Sequence, residues 1–515
     1  MSRGSAVRNL VLRIAEAGLS VAIWIAVLAF GGTSPPFFLV TEIIILGLGV
    51  FLLSASFRAP LTTIRLPFAA PMALIAWVVL QILPLPAFLA SLYARLHIAP
   101  AGDTRYTISI APYQTVSHLL LWVTFLTAFY LVLLVARDRN ARKRLVYALV
   151  ALGAFEAFFG LVQYLTGWQQ IFAYVKKYYL EDATGTYINR NHFAGFLEMT
   201  LPFTVALALR LAGNLSRAAE RSEAKARQLL SAKELLPLVF LLFLAVAMFT
   251  ALVFSRSRMG IISALASLMA IFAVAGSSSL SKRTRAAVAV LFLLGVVGMV
   301  LWVGSDPAVK RFETLGHEYT PTGQNRISIW RDTLTLIHQH PLFGTGLGTF
   351  SVAYTSVQST FLTLLVDHAH CDYLEVVSEL GWPGGILVFG SIFWILARAF
   401  RRYRETADRF EAAVCLGCVG SIAAILVHSL ADFNLYIPAN ALVFTVTLAL
   451  ASKGVESSDL VAGDIAAPAN NRSSGQHPVL WTALLVLLIE LVPSKAGVFG
   501  GVWLGWVHQD NRRCC

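Results

Sequence analysis

Apolar residues in this chain come in long unbroken runs separated by short polar segments. They do not alternate as in strands, and they do not keep one polar face as in soluble helices. Twelve runs stand out, near 14–31, 37–54, 67–86, 116–136, 145–165, 192–212, 235–254, 260–276, 286–304, 385–399, 411–430 and 437–452. Most approach the length that crosses a bilayer as a helix. A helix closes its own backbone hydrogen bonds, which lipid cannot do for it. The predicted fold class is therefore an all-α polytopic membrane protein. It has about twelve transmembrane helices and a large helical loop between the ninth and tenth. Four segments follow: 1–304 with helices one to nine, the loop 305–384, helices ten to twelve in 385–452, and a polar linker with a short apolar tail in 453–515.

Composition sharpens this picture. Of 515 residues, 57% are hydrophobic and 13% charged, about half the roughly 25% charged residues of soluble domains. That excludes a soluble enzyme and a disordered chain, and it disfavours an outer-membrane barrel with its polar-apolar alternation. The net charge is +12. In a soluble protein such an excess suggests nucleic acid; here the basic residues sit in loops between apolar runs, and no nucleic-acid partner is expected. With the N-terminus placed in the cytoplasm, inside loops hold 24 Lys and Arg and outside loops 11. This bias sets the orientation, with loop 305–384 outside. Arg3, Arg8 and Arg13 precede the first run, which reads as an uncleaved helix rather than a signal peptide. The five cysteines suggest no disulfide framework, and Cys415 and Cys418 in an apolar run read as packing.

The loop is about 80 residues long, too long to be structureless. Residues 326–340 and 369–380 have a helical apolar period, and Gly381 and Pro383 read as stops for the second. Residues 453–478 have linker composition, and 479–493 are shorter than an ordinary span. No internal repeat is evident.

The candidate chemistry gathers on the outer side. In Asp367-His368-Ala369-His370-Cys371-Asp372-Tyr373-Leu374-Glu375, a helical spacing puts Asp372, Glu375 and Glu379 on one face, with His370 at its start. Three readings stay open: His370 as a base for a hydroxyl, His368 and His370 as metal ligands, or a solvated acidic helix. Arg190 precedes the sixth run, and Arg256 and Arg258 occupy a tight outer turn. Arginines in short outer turns run against the positive-inside bias, so they suggest a purpose. The purpose is either phosphate binding through the planar fork or headgroup anchoring. Arg326 is either a ligand-binding cation or a loop cap paired with a carboxylate. His428 and Asp432 stand four apart and can pair, structurally or for catalysis. Glu198 is expected to face a cavity with Arg190, while Glu156 has no evident partner. Gly344-Thr345-Gly346-Leu347-Gly348 lacks the lysine and the strand–helix context of a nucleotide loop.

Taken in order, these pieces resemble the O-antigen ligase and O-antigen polymerase superfamily of bacterial inner-membrane glycosyltransferases. The resemblance runs from about 180 to 450. Its elements are Tyr187–Phe193, Ser257-Arg258-Met259-Gly260, Arg326-x3-Trp330, Pro341–Gly348, then His370 with Gly381 and Gly384, and His428-Ser429-x2-Asp432-Phe433. Cys371 stands where the ligase signature has an amide or hydroxyl. The resemblance implies transfer of a glycan from an undecaprenyl-diphosphate carrier to an acceptor hydroxyl at the periplasmic face, without cofactor or metal. It implies His370 as base and Arg190 and Arg258 as clamps on the lipid diphosphate. Arg256 and Arg326 are weaker clamps, and Asp372, Glu375, His428 and Asp432 are supporting residues. The acceptor is a lipid A core for a ligase, a second glycan for a polymerase, or a protein serine. Other polysaccharide-assembly proteins are further partners. Two readings from other classes remain: a flippase for lipid-linked glycans, and a non-catalytic scaffold of an assembly complex.

Overall fold

The computed structural model describes residues 3–33, 35–58, 69–86, 107–221, 232–276, scattered positions within 286–297, 321–359 and 365–452. The ninth predicted run, residues 305–320 and the tail 453–515 lie essentially outside the described residues. The chain forms α1 (Arg3–Leu28), α2 (Pro35–Arg58), α3 (Ala69–Ile82), α4 (Pro112–Val135), α5 (Arg139–Thr166), α6 (Arg190–Arg221), α7 (Ala232–Phe254) and α8 (Arg258–Gly276). After these come α9 (Pro321–Gln339), the short α10 (Phe350–Tyr354), α11 (Asp372–Glu405), α12 (Arg409–His428) and α13 (Pro438–Ser452). A two-residue antiparallel pair, β1 (Gln170–Ile171) with β2 (Tyr174–Val175), precedes α6.

This is an all-α polytopic membrane protein. Among the described residues nine helices are long and apolar enough to cross a membrane (α1, α2, α4 to α8, α11 and α12), and α3 and α13 are shorter apolar helices. Large apolar side chains face outward around the bundle, among them Leu236, Met269 and Ile386, each about two-thirds exposed. Such a surface suits lipid, not water. The centre is α6, which lies against α5, α7, α8, α12 and α13. Its apolar stretch is buried throughout.

Local chemistry sets the helix ends. Asp138 accepts the amide of Ala141 at 2.8 Å to cap α5, and Asp408 accepts those of Phe410 and Glu411 to cap α12. Ser257 caps α8 by accepting the Gly260 amide at 3.3 Å. Gly260 itself lets α8 lie on α6: a Cβ there would come within 2.5 Å of the Ala194 Cβ. Outside the bundle, α9 and α10 build a second small core from Ile329, Phe350, Tyr354 and Ala369. The Tyr354 hydroxyl donates to Asp332 at 2.9 Å.

Gly381 behaves differently from the expected stop. The helix that begins at Asp372 kinks there (φ 70, ψ 175) and resumes as the tenth span. The Trp382 amide leaves the helical ladder to bond the Pro341 carbonyl at 2.9 Å. Pro383 falls in the first turn of the resumed helix, where its missing N–H costs nothing. A Cβ on Gly381 would lie 2.2 Å from the Leu342 carbonyl oxygen. We expect Gly381→Ala to destabilise the protein by more than about 2 kcal/mol, through left-handed strain plus an immovable backbone clash. A thermal scan in detergent measures it, and a melting temperature equal to wild type would refute the account.

Candidate active site

The site is built where the chain turns from the loop into α11. Asp372, Glu375 and Glu379 do share one face of α11, and all three are buried. The solvated acidic helix is thereby excluded. Each carboxylate holds a different strand of backbone. Asp372 accepts the Ser429 hydroxyl at 2.7 Å and the Leu435 amide at 3.3 Å. Glu375 accepts the Ala369 amide at 2.7 Å and pairs with His368 Nδ1 at 2.7 Å. Glu379 accepts the Phe350 amide at 3.0 Å and the Tyr436 hydroxyl at 2.8 Å. Three loops are thus pinned to one helical turn and the next. The glycine-rich segment joins them, because Gln81 of α3 donates to the carbonyls of Phe343 and Glu379 and accepts the Leu347 amide.

On α9, Arg326 and Trp330 lie one turn apart and hold two of the same segments. Arg326 donates to the Ala431 carbonyl at 2.8 Å, and Trp330 Nε1 to the Ala369 carbonyl at 3.0 Å. Between these two anchored segments sits His370. Its backbone is left-handed (φ 51), a conformation that a non-glycine residue keeps only when its surroundings impose it. Its Nδ1 is buried without a hydrogen-bond partner among the described residues. Burial, with Arg326 and His368 nearby, outweighs the pull of Asp432 and lowers its pKa to about 4. At neutral pH the ring is uncharged and free to accept a proton. His368 goes the other way: burial opposes the cation, but the charge and hydrogen bond of Glu375 more than offset it, and its pKa is raised.

Phe433 is the hub of this region. His368 stacks on it at 4.1 Å between centroids, and His370 and His192 meet it edge-on at 5.0 Å each. His368 and His370 thus both pack on one aromatic ring. Behind Phe433, His428 Nδ1 lies 2.9 Å from a Glu198 carboxylate oxygen, and its Nε2 is 3.7 Å from Asp432. All three groups are buried. Burial alone would raise the Asp432 carboxyl, but His428, then Arg326 and His192, hold it well below the usual carboxylate range.

Arg190 and Arg256 form a second cluster around Asp182. Arg190 Nη1 is 2.8 Å from one Asp182 oxygen, and Arg256 Nη1 is 3.4 Å from the other and 3.1 Å from exposed Glu181. Lys176 Nζ donates to the Asp182 carbonyl at 3.2 Å, and burial lowers its pKa to about 8. The Nε groups of Arg190 and Arg256 are buried donors without acceptors among the described residues. Arg258 begins α8 two residues on. The two clusters share the start of α6, where Arg190 turns toward Asp182 and His192 toward Phe433.

Sequence reading did not single out Asp182, and it named His192 and Phe433 only within motifs, without a role. It also placed Glu198 with Arg190; the structure gives Glu198 to His428 and Arg190 to Asp182. Arg326 caps a carbonyl, not a carboxylate. Glu156, unplaced before, accepts the Thr186 amide at 2.8 Å and its hydroxyl at 2.7 Å, fixing the loop that leads into α6.

A polytopic helical bundle with a buried imidazole cluster and a basic cluster at one end defines a class of membrane protein. Residues 243–389 match the family model described as O-Antigen ligase, which supports the O-antigen ligase and polymerase superfamily. The match takes in Arg256, Arg258, Arg326, His370, Asp372 and Glu375; Arg190, His428 and Asp432 lie outside it. No curated protein matches the chain.

Proposed function

We propose that this protein is a glycosyltransferase that moves a glycan from an undecaprenyl-diphosphate carrier to an acceptor hydroxyl, as an O-antigen ligase or polymerase. The active site faces the periplasm, in a multi-pass protein of the bacterial inner membrane with a cytoplasmic N-terminus. The observation that carries this reading is His370, with a buried Nδ1 unpartnered among the described residues, held in a left-handed backbone before α11 and joined through Phe433 to His192, two residues from Arg190 at the start of α6.

The step balances without a nucleotide. The acceptor oxygen attacks the anomeric carbon as its proton passes to His370 Nδ1. The bond from that carbon to the diphosphate oxygen breaks, and the electron pair leaves with the diphosphate. Negative charge develops on the leaving group, where fixed guanidinium donors stabilise it most. The unused Nε donors of Arg190 and Arg256, with Arg258 beside them, suit that role, and Arg326 tunes His370 from the other side. Asp372, Glu375, His428 and Asp432 act by positioning.

The test uses cells that lack the protein. Carrier lipids are extracted and the attached glycan is sized by mass spectrometry. Long polymer stranded on the carrier identifies a ligase that uses a lipid A core; single repeats identify a polymerase. An unchanged carrier-linked pool overturns the proposed donor.

A further inference from the structure

On the flank of the bundle a cleft of about 1180 Å³ opens between α3, α4, α11 and α13. Its walls are apolar, with Trp77, Phe125, Trp394, Ile395, Phe444 and Leu448 among them. Along α11 it runs from Trp382 to Arg398, about 24 Å at the helical rise. That is most of the thickness of a bilayer core. We propose that this cleft binds an anionic phospholipid, with the phosphate at Arg398 and the acyl chains along the apolar walls.

Charge at the two ends decides the occupant. At the end near the imidazole site, the polar atoms are already bonded within the protein. Trp77 Nε1 donates to the Leu380 carbonyl at 3.0 Å, and the Tyr436 hydroxyl to Glu379 at 2.8 Å. None of Arg190, Arg256 and Arg258 lines the cleft, so a diphosphate held by them does not sit at its mouth. At the other end Arg398 lines the wall. Its Nε donates to the Ser452 carbonyl at 3.1 Å and its guanidinium lies on the Trp394 ring. That bond caps α13 and fixes the side chain, but it uses one donor of five. No carboxylate pairs with Arg398 among the described residues. The nearby Glu411 is taken by Arg142 and Arg402. A fixed guanidinium with unused donors at the end of an apolar cleft matches a phosphodiester with acyl chains. With the basic loops in the cytoplasm, as proposed above, that headgroup lies in the inner leaflet, whose anionic surface favours it.

Gly390 supplies a test that leaves the cleft wall intact. It lines the cleft, and a Cβ there meets nothing within 4 Å. Gly390→Phe therefore fills the cleft without a backbone clash. The full-length protein is purified in micelles with equal phosphatidylglycerol and phosphatidylcholine, and retained lipid is weighed by native mass spectrometry. We expect wild type to keep phosphatidylglycerol in preference. Arg398→Ala should retain it about fivefold less, Arg398→Lys should keep it, and Gly390→Phe should lose it. Equal retention of the two lipids, or retention by Arg398→Ala equal to wild type, overturns the proposal. Undecaprenyl lipid lost from Gly390→Phe but kept by Arg398→Ala would instead assign the cleft to the donor tail. Cross-linking of Gly390→Cys to residues 479–493 would assign it to the chain itself. No transfer step enters the readout, so the lipid site and the proposed reaction fail separately.

Discussion

Replacing His370 with alanine is expected to lower glycan transfer by at least about 10²-fold, the contribution of a positioned general base, while the protein stays folded. The side chain is half-buried, and among the described residues its Nδ1 has no hydrogen bond to lose. What the variant forfeits structurally is an edge contact on Phe433, worth about 0.5–1.5 kcal/mol. The left-handed backbone is somewhat costlier for alanine than for histidine, which adds a small further loss of stability. His368 is the control: its Nδ1 bonds buried Glu375, and His368→Ala strips that carboxylate of a partner. The pH profile supplies an independent reading. Burial lowers the His370 pKa to about 4, so the neutral, proton-accepting form prevails above that pH and is lost below it. The acid limb of kcat/KM should then fall near pH 4, not near the ordinary value of about 6.5. The limb of kcat should lie higher, because a bound diphosphate favours the imidazolium. Purified protein with a carrier-linked glycan measures both. An acid limb of kcat/KM at 6.5 would show that burial does not govern this ring, and full activity in His370→Ala would remove it from the reaction.

The spans were legible because lipid imposes one simple demand on the sequence, long apolar runs, and every run that falls on described residues is a helix. Gly381 was read correctly as a break and incorrectly as an end. The sequence marks a residue that can turn, but not the Pro341 carbonyl waiting for the Trp382 amide. Local motifs exposed their own members: Arg326 with Trp330 one turn on, Ser257 with Gly260, His428 with Asp432. Partners from distant segments stayed hidden. Glu198 and His428 are 230 positions apart, and no spacing rule relates them. Asp182 drew no notice in the sequence, although it is the counter-ion of two arginines. Phe433 stood in a motif without a role of its own, and only the fold brings three imidazoles to its ring. Burial closed one reading that spacing had left open. Asp372, Glu375 and Glu379 fit a water-facing stripe by period alone, but they turn inward because each has backbone donors to satisfy.

The pair of Glu198 and His428 should show the largest stability effect of any side chains near the site. Both are fully buried, and each is the other's polar partner across α6 and α12. Removing His428 leaves Glu198 desolvated without its partner, and removing Glu198 leaves His428 with Asp432 alone at 3.7 Å; the first loss costs about 3–5 kcal/mol. His428→Ala is therefore expected to lower the melting temperature sharply and reduce the yield of monodisperse protein. Glu198→Gln keeps an oxygen that accepts from His428 Nδ1, so its cost should fall to about 1–3 kcal/mol. If the pair is real, Glu198→Gln and His428→Gln combined will cost less than the sum of the singles, with a coupling of about 0.5–3 kcal/mol in a double-mutant cycle. Additive losses would mean that the two side chains do not depend on each other. Asp432→Asn separates structure from function at the same place. One Asp432 oxygen accepts the Phe433 amide at 2.8 Å, and asparagine can keep that bond, so the fold should survive. The variant removes the charge that faces His428, His192 and His370. With that charge gone, the His370 pKa should move further down and the ring should become a poorer base. The expected signature is a fall in kcat with little change in the KM for the carrier-linked donor. A rise in KM alone would place Asp432 in donor binding instead of in the control of His370.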